Sequence, residues 1–174
     1  NQEESTLKVN VTGGTLVGNT KLYETDVTGA EVKTSLEITV AESVGVTFNN
    51  AVAKVGNTYY DTLEAAFAVG GTIELLKDVT LTSALEIDKE FILNGNDKTI
   101  TVVGKGLRLF ADATINNVTI NNASSAGRCI DTRKNVTVDL NNVTLNTTSS
   151  GNNQPITVGG STDGTVMITV RLST

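Results

Sequence analysis

Three charged residues in the second half of the chain have the types that sugar chemistry requires. Asp131 and Asp139 could hold a calcium ion, and Arg133 between them could abstract a proton from a sugar ring. Two aspartates and one arginine on so short a stretch are also the ordinary content of a solvated strand surface. No further carboxylate joins them one repeat earlier, where the equivalent of Asp139 is Thr114. We therefore predict no catalytic residue here.

Other candidate nucleophiles and acids lack the partners that they would need. Cys129 is the only cysteine and the chain has no histidine, so a disulfide within the chain and a histidine-activated thiolate are both impossible. The segment 161–164 (Ser-Thr-Asp-Gly) is similar to a motif of polygalacturonase-like hydrolases, which need further aspartates and a histidine downstream. We interpret it as a turn. The prediction is a protein that is not an enzyme, with no cofactor and no metal site.

The composition favours strands and excludes nucleic acid as a partner. The 174 residues are 39% hydrophobic but only 4% aromatic, and they are rich in Val, Ile, Thr and Asn, which favour strands and turns. A formal net charge of -6 would repel a phosphate backbone or an anionic membrane. No run reaches the roughly 18 apolar residues of a membrane span. We expect no membrane insertion in this segment.

Short β-rich runs return at a nearly constant interval from about residue 72 onward, which is typical of a solenoid. Leu93, Ile115 and Leu140 align with steps of 22 and 25 residues. Apolar and polar residues alternate within each run, so one set points inward and the other lies in water. This pattern predicts an all-β fold, a right-handed parallel β-helix, with these three residues stacked in one internal column.

A second set of runs keeps a similar period and carries the candidate binding face. Its members align at steps of 22, 22 and 27 residues, and they are residues 85–87, 107–109, 129–131 and 156–158. We predict that any host-surface or glycan ligand binds the strand face that bears Arg108, Asp131 and Arg133.

An asparagine follows the aliphatic column in every repeat, as Asn94, Asn116 and Asn141. Stacked amide side chains can hydrogen-bond along the axis of a solenoid. Asparagine and glycine also tolerate the left-handed backbone that tight corners require. We predict that these asparagines form a structural ladder and do not bind a ligand.

One helical stretch precedes the first repeat, where the open end of a solenoid must be covered. Asp61 or Thr62 can serve as its N-cap, and two glycines follow its last turn. Leu63, Ala66 and Phe67 share one face. We predict that this face lies over the first rung as an N-terminal cap.

Segments 53–66, 71–81 and 91–101 resemble the opening of pectate-lyase-like β-helix modules in large surface proteins of gut and oral bacteria. Ile92 stands where that family usually has Asp before Leu-Asn-Gly. The resemblance covers roughly residues 51 to 172, and it implies a pectin-lyase-like solenoid with a short N-terminal capping helix.

The resemblance also implies how the chain is organised. Residues 51–174 are expected to be one capped parallel β-helix, truncated at its C-terminus. Residues 1–50 are expected to be a separate β-rich segment, either the end of a preceding β-helix module or a small β unit.

The function that the resemblance implies is a non-enzymatic structural or adhesive module of a bacterial surface or secreted protein. Such a module is extracellular, and it is a rigid scaffold for display or for contact with host surfaces or glycans. Its other partners would be neighbouring modules of the same polypeptide. The alternative is a carbohydrate-active β-helix, either a fragment of a polysaccharide lyase or a glycan-binding domain.

Overall fold

The computed structural model describes residues 5–11, 15–18, 34–40, 45–48, 50–148, 154–158 and 168–173. Before the helix the strands are β1 (Ser5–Val11), β2 (Thr15–Gly18), β3 (Thr34–Val40), β4 (Gly45–Phe48), β5 (Ala53–Val55) and β6 (Thr58–Tyr60). The helix is α1 (Leu63–Val69). After it come β7 (Gly71–Leu75), β8 (Val79–Thr80), β9 (Leu85–Ile87), β10 (Phe91–Val102), β11 (Leu107–Leu109), β12 (Ala113–Asn122), β13 (Arg128–Thr132), β14 (Val136–Thr147), β15 (Gln154–Val158) and β16 (Ile168–Ser173). No helix among the described residues has the length and hydropathy to span a membrane.

From β7 onward the chain winds as a β-solenoid of about four turns. The larger sheet stacks β7, β10, β12, β14 and β16, and the smaller sheet stacks β9, β11, β13 and β15. Every pair in these two stacks is parallel. The predicted all-β solenoid of parallel coils is confirmed.

The predicted aliphatic column lies inside the solenoid. Leu93 pairs with Ile115, and Ile115 pairs with Leu140. Ile73 extends the column in the first coil through its pairing with Leu93. All four side chains are buried. Since burying one such side chain contributes about 1.5 to 3 kcal/mol, this column stabilises the stacking of the coils.

The alignment of the smaller sheet was wrong by one residue in its third coil. Leu107 pairs with Ile130, and Ile130 pairs with Ile156, whereas Cys129 was expected in that position. The reason is that residues 129–132 are all buried. A strand without a polar face lacks the alternation that specifies its register in the sequence.

Helix α1 begins where the sequence places an N-cap and packs against the first coils. The hydroxyl of Thr62 accepts a hydrogen bond of 3.3 Å from the amide of Ala65. The ring of Phe67 meets that of Phe91 edge-on, with centroids 4.8 Å apart. The short helix is compatible with the predicted N-terminal cap, and its buried side chains are Leu63, Ala66 and Phe67.

A hairpin continues the larger sheet beyond the first coil. Strands β5 and β6 pair antiparallel, β5 pairs antiparallel with β7, and β6 pairs antiparallel with β3. On the far side of the hairpin, β1 pairs with β3 and β2 with β4, and both pairs are parallel. The division into residues 1–50 and 51–174 stays a prediction.

Candidate binding site

Four residues of successive coils form one outward-facing column on the smaller sheet. Arg108 pairs in register with Glu86 on one side and with Asp131 on the other. Thr157 follows Asp131 in the next coil. The leucines that flank Arg108 point into the core, so the alternation of the strand directs the arginine outward.

Asp131 is the centre of this column and is completely buried, although it lies on the outer face. Thr157 donates its hydroxyl to Oδ1 at 2.8 Å, and Arg128 Nη1 lies 3.5 Å from the same oxygen. The other oxygen, Oδ2, has Arg108 Nε at 3.5 Å and Arg133 Nη1 at 3.8 Å. Three guanidinium groups therefore cover one carboxylate.

The positive charges around Asp131 exceed the negative ones. The chain contains four arginines, and three of them converge on this carboxylate. Glu86 forms an ion pair with Arg108, but its side chain is 61% exposed. Arg108 and Lys134 each lie 5.7 Å from the centroid of the Phe110 ring, whose face attracts cations.

Two polar atoms in the cluster lack hydrogen bonds. Arg108 Nε and Asp131 Oδ2 are both buried, and neither has a hydrogen-bond partner within the described part of the chain. Their separation of 3.5 Å is too long for a good charged hydrogen bond, which is normally below 3 Å. In this arrangement the carboxylate accepts a short hydrogen bond from Thr157, and all three guanidinium groups lie farther away, at 3.5 to 3.8 Å.

The structure brings together Arg108, Asp131 and Arg133, and their role in binding stays a prediction. The prediction omitted Arg128 and Thr157, which complete the cluster. The sequence contained a signal for Arg128, since it precedes Asp131 by three residues at the start of the same strand. Thr157 could be found only with the correct register of the smaller sheet.

Asp139 lies elsewhere, on β14 in the larger sheet, where it pairs with Thr114 as the repeat predicts. It lines a groove of about 350 Å³ together with Glu90, Ile92 and Asp112. The groups that could cooperate in sugar proton abstraction are therefore divided between two sheets. Among the described residues, no group of three cysteine, aspartate or glutamate side chains is placed to hold a metal ion.

The asparagines of the larger sheet form hydrogen bonds from coil to coil. Asn116 donates to Asn94 at 3.0 Å, and Asn141 donates to Asn116 at 2.7 Å. The next residues, Asn117 and Asn142, adopt the left-handed backbone with φ of 50° and 51°. Asn116 and Asn141 therefore form the hydrogen bonds between coils, and the residue after each of them adopts the left-handed backbone of the corner.

Cys129 is fully buried near the start of β13, where its thiol faces backbone carbonyls of β12 and β14. Its Sγ is 3.3 Å from the carbonyl oxygen of Ile120 and 3.4 Å from that of Asn146. Burial raises the pKa of the thiol to about 11, so the thiol is protonated at neutral pH. A protonated, enclosed thiol behaves as a small apolar side chain with a weak donor.

Comparison of the chain with protein-family models, with curated proteins and with solved structures finds no match to any of them.

Proposed function

We propose that this chain is a non-enzymatic structural module of a bacterial surface or secreted protein, working outside the cell as a rigid rod for display or adhesion. The observation that supports it is the unbroken stacking of parallel coils. Both sheets pair from coil to coil, and one buried aliphatic column runs through β7, β10, β12 and β14.

Rigidity follows from how the coils are joined. Neighbouring coils lie about 4.8 Å apart, so four turns extend roughly 20 Å along the axis. Neighbouring coils share the backbone ladder, the aliphatic column joins β7, β10, β12 and β14, and asparagine amides add hydrogen bonds between β10, β12 and β14. Bending the rod would disturb these contacts together, so a stack of this kind resists deformation.

The hairpin of β5 and β6 supports a role in a series of modules. Its strand β5 pairs with the first coil of the solenoid, and its strand β6 pairs with β3. The parallel pairing of β1 with β3 is what successive coils of a preceding module would show. Neighbouring modules of one polypeptide are therefore proposed partners, besides host surfaces or glycans on the outer faces.

Hydrogen exchange combined with an activity assay tests the proposal. We expect the amides of β10, β12 and β14 to exchange slowly and together, because the coils form one cooperative unit. We also expect no release of unsaturated uronides from acidic polysaccharides in the presence of calcium. Turnover of such a polymer would overturn the scaffold in favour of the lyase alternative. Independent, rapid exchange of single coils would contradict rigidity.

A pair of variants makes the exchange measurement sharper. Ile115→Ala removes a fully buried side chain from the middle coil, and it should accelerate exchange in both neighbouring coils. Val69→Ala is the control, because Val69 is 53% exposed at the end of α1. Acceleration confined to the mutated coil would show that the coils are not mechanically coupled.

A further inference from the structure

We propose that the arginine cluster, defined as Arg108, Arg128 and Arg133 around Asp131, is a binding site for a tetrahedral oxyanion such as sulfate. The site goes beyond the proposed scaffold. Such a site would allow the rod to recognise a charged group. It does not depend on the proposed scaffold role.

The surroundings of the cluster are positive in a chain that is negative overall. The cluster and its direct neighbours contain four basic side chains, Arg108, Arg128, Arg133 and Lys134, and two acidic ones, Asp131 and Glu86. The whole chain, by contrast, has a net charge of -6. Glu86 is 61% exposed, so solvent screens its charge more than that of the buried Asp131. The local excess of positive charge favours the approach of an anion.

The cluster has more hydrogen-bond donors than acceptors. A guanidinium group presents several N–H donors in a rigid fork, and three such groups share Asp131, with Glu86 as a further acceptor for Arg108 alone. Arg128 and Arg133 reach Asp131 only at 3.5 and 3.8 Å. Arg108 Nε and Asp131 Oδ2 are both buried and lie 3.5 Å apart, so the donors open to a ligand are those of the partly exposed Arg128 and Arg133. These donors suit an acceptor that carries negative charge.

The geometry favours a tetrahedral anion over a planar one. Arg108 comes from β11, Arg128 is the first residue of β13 and Arg133 follows the last residue of β13, so the donors converge from different directions. The planar carboxylate of Asp131 fails to align with all of them. Oxygens at the corners of a tetrahedron can face donors from several directions at once.

Asp131 is a positioning residue in this site. It is completely buried, while the side chains of Arg128 and Arg133 are 31% and 25% exposed. Their outer N–H groups are therefore within reach of a ligand. The carboxylate beneath them holds like charges together that would otherwise repel each other. A second anion on the outer side would relieve the remaining repulsion.

Titration of the full 174-residue chain with sodium sulfate at low ionic strength tests the proposal. Sodium chloride at matched ionic strength is the control. We expect saturable binding of sulfate by calorimetry, together with a shift of the Nε–H resonances of Arg128 and Arg133 in NMR spectra. An Nε–H resonance that responds equally to chloride and to sulfate would overturn the proposal.

Substitutions locate the site. Arg128→Gln with Arg133→Gln should weaken sulfate binding by about tenfold or more, because charge-assisted hydrogen bonds are lost. Arg128→Gln and Arg133→Gln are also made singly, and Lys89→Gln is the matched control for each, since it removes one charge from an exposed corner and should leave binding unchanged. Arg133→Lys keeps the positive charge but replaces the planar guanidinium group with an ammonium group, so sulfate binding should weaken in this variant also. Equal binding by the double variant and the parent chain would refute the site.

Two further probes distinguish a free anion from a sulfate ester on a sugar. A heparin tetrasaccharide that binds more tightly than sulfate, with the same dependence on Arg128 and Arg133, would identify a sulfated glycan as the source. Equal affinity for inorganic sulfate and for the tetrasaccharide would identify the free anion. Binding of the tetrasaccharide that ignores both substitutions would contradict the site, and a desulfated tetrasaccharide is its control.

Discussion

Two polar ladders run along the same solenoid, and they solve the same problem in different ways. On the larger sheet, Asn94, Asn116 and Asn141 repeat one residue type, and each amide can donate to one neighbour and accept from the other. On the smaller sheet, the column through Arg108 and Asp131 alternates in charge.

This difference is why we propose a ligand for the charged column and a purely structural role for the asparagine ladder. An amide is self-complementary, so a row of identical asparagines leaves its inner members fully paired. Guanidinium and carboxylate groups are not self-complementary, and their numbers must match. They do not match here, because three arginines surround Asp131 and two buried polar atoms have no hydrogen-bond partner among the described residues.

The largest effect should come from breaking the charged column at its centre. Asp131→Asn removes the carboxylate that offsets three guanidinium groups, and we expect a loss of about 3 kcal/mol in the free energy of unfolding. Urea denaturation measures it. Asp97→Asn is the control, because Asp97 is exposed and asparagine tolerates its positive φ of 59°. A loss below about 1 kcal/mol would mean that solvent, and not Asp131, compensates the arginines.

The buried thiol of Cys129 should make stability depend on alkaline pH. Burial raises the pKa of Cys129 from 9.0 to about 11, so between these values the folded chain keeps a proton that the unfolded chain has released. Stability should fall as pH rises through this range, by up to about 3 kcal/mol, and should be unaffected by the thiol below it.

Cys129→Ala isolates this contribution, since every other titrating group is retained. Urea denaturation at pH 8 and at pH 11 should show a smaller decrease for the variant than for the parent chain. If the two decreases are the same, the thiol does not stay protonated in the folded state.

The asparagine ladder should respond more weakly than the charged column. Asn116→Ala leaves the side-chain oxygen of Asn94 and the side-chain nitrogen of Asn141 without their partner, and we expect a loss of about 1 to 2 kcal/mol. Asn121→Ala removes one exposed bond to Asn146 and should cost less than about 0.5 kcal/mol. Thermal or urea denaturation compares the two. Equal losses would show that the ladder is no more than a surface feature.

The smallest effect concerns the corner beside the ladder. Asn117→Gly and Asn117→Ala both remove the hydrogen bond from Asn142, but only alanine must be forced into a φ of 50°. We expect the alanine variant to be less stable than the glycine variant by about 1 kcal/mol. Should alanine prove equal or better, the left-handed corner would not be the reason for asparagine at this position.

The parts of the fold that the sequence predicted share one property, a regular alternation. Around Leu93, Ile115 and Leu140 each strand alternates between buried and partly exposed residues. The sequence could therefore predict both the spacing of the repeats and which side chains point into the core. In β13 that alternation is missing, and the derived register was off by one residue. Arg108 and Asp131 were still chosen for one face, but their direct pairing was not foreseen.

By itself, the sequence determined the solenoid, the position of the helix and the asparagine ladder, because each follows from spacing and side-chain type within short segments. The tertiary structure decided that Arg128 joins Arg108 and Arg133 over a buried Asp131, and that Asp139 lies on the other sheet. Those placements depend on which strands pair between neighbouring coils and on the register of each pair. Residues far apart in the chain meet only after the coils have stacked, so no local pattern could specify them.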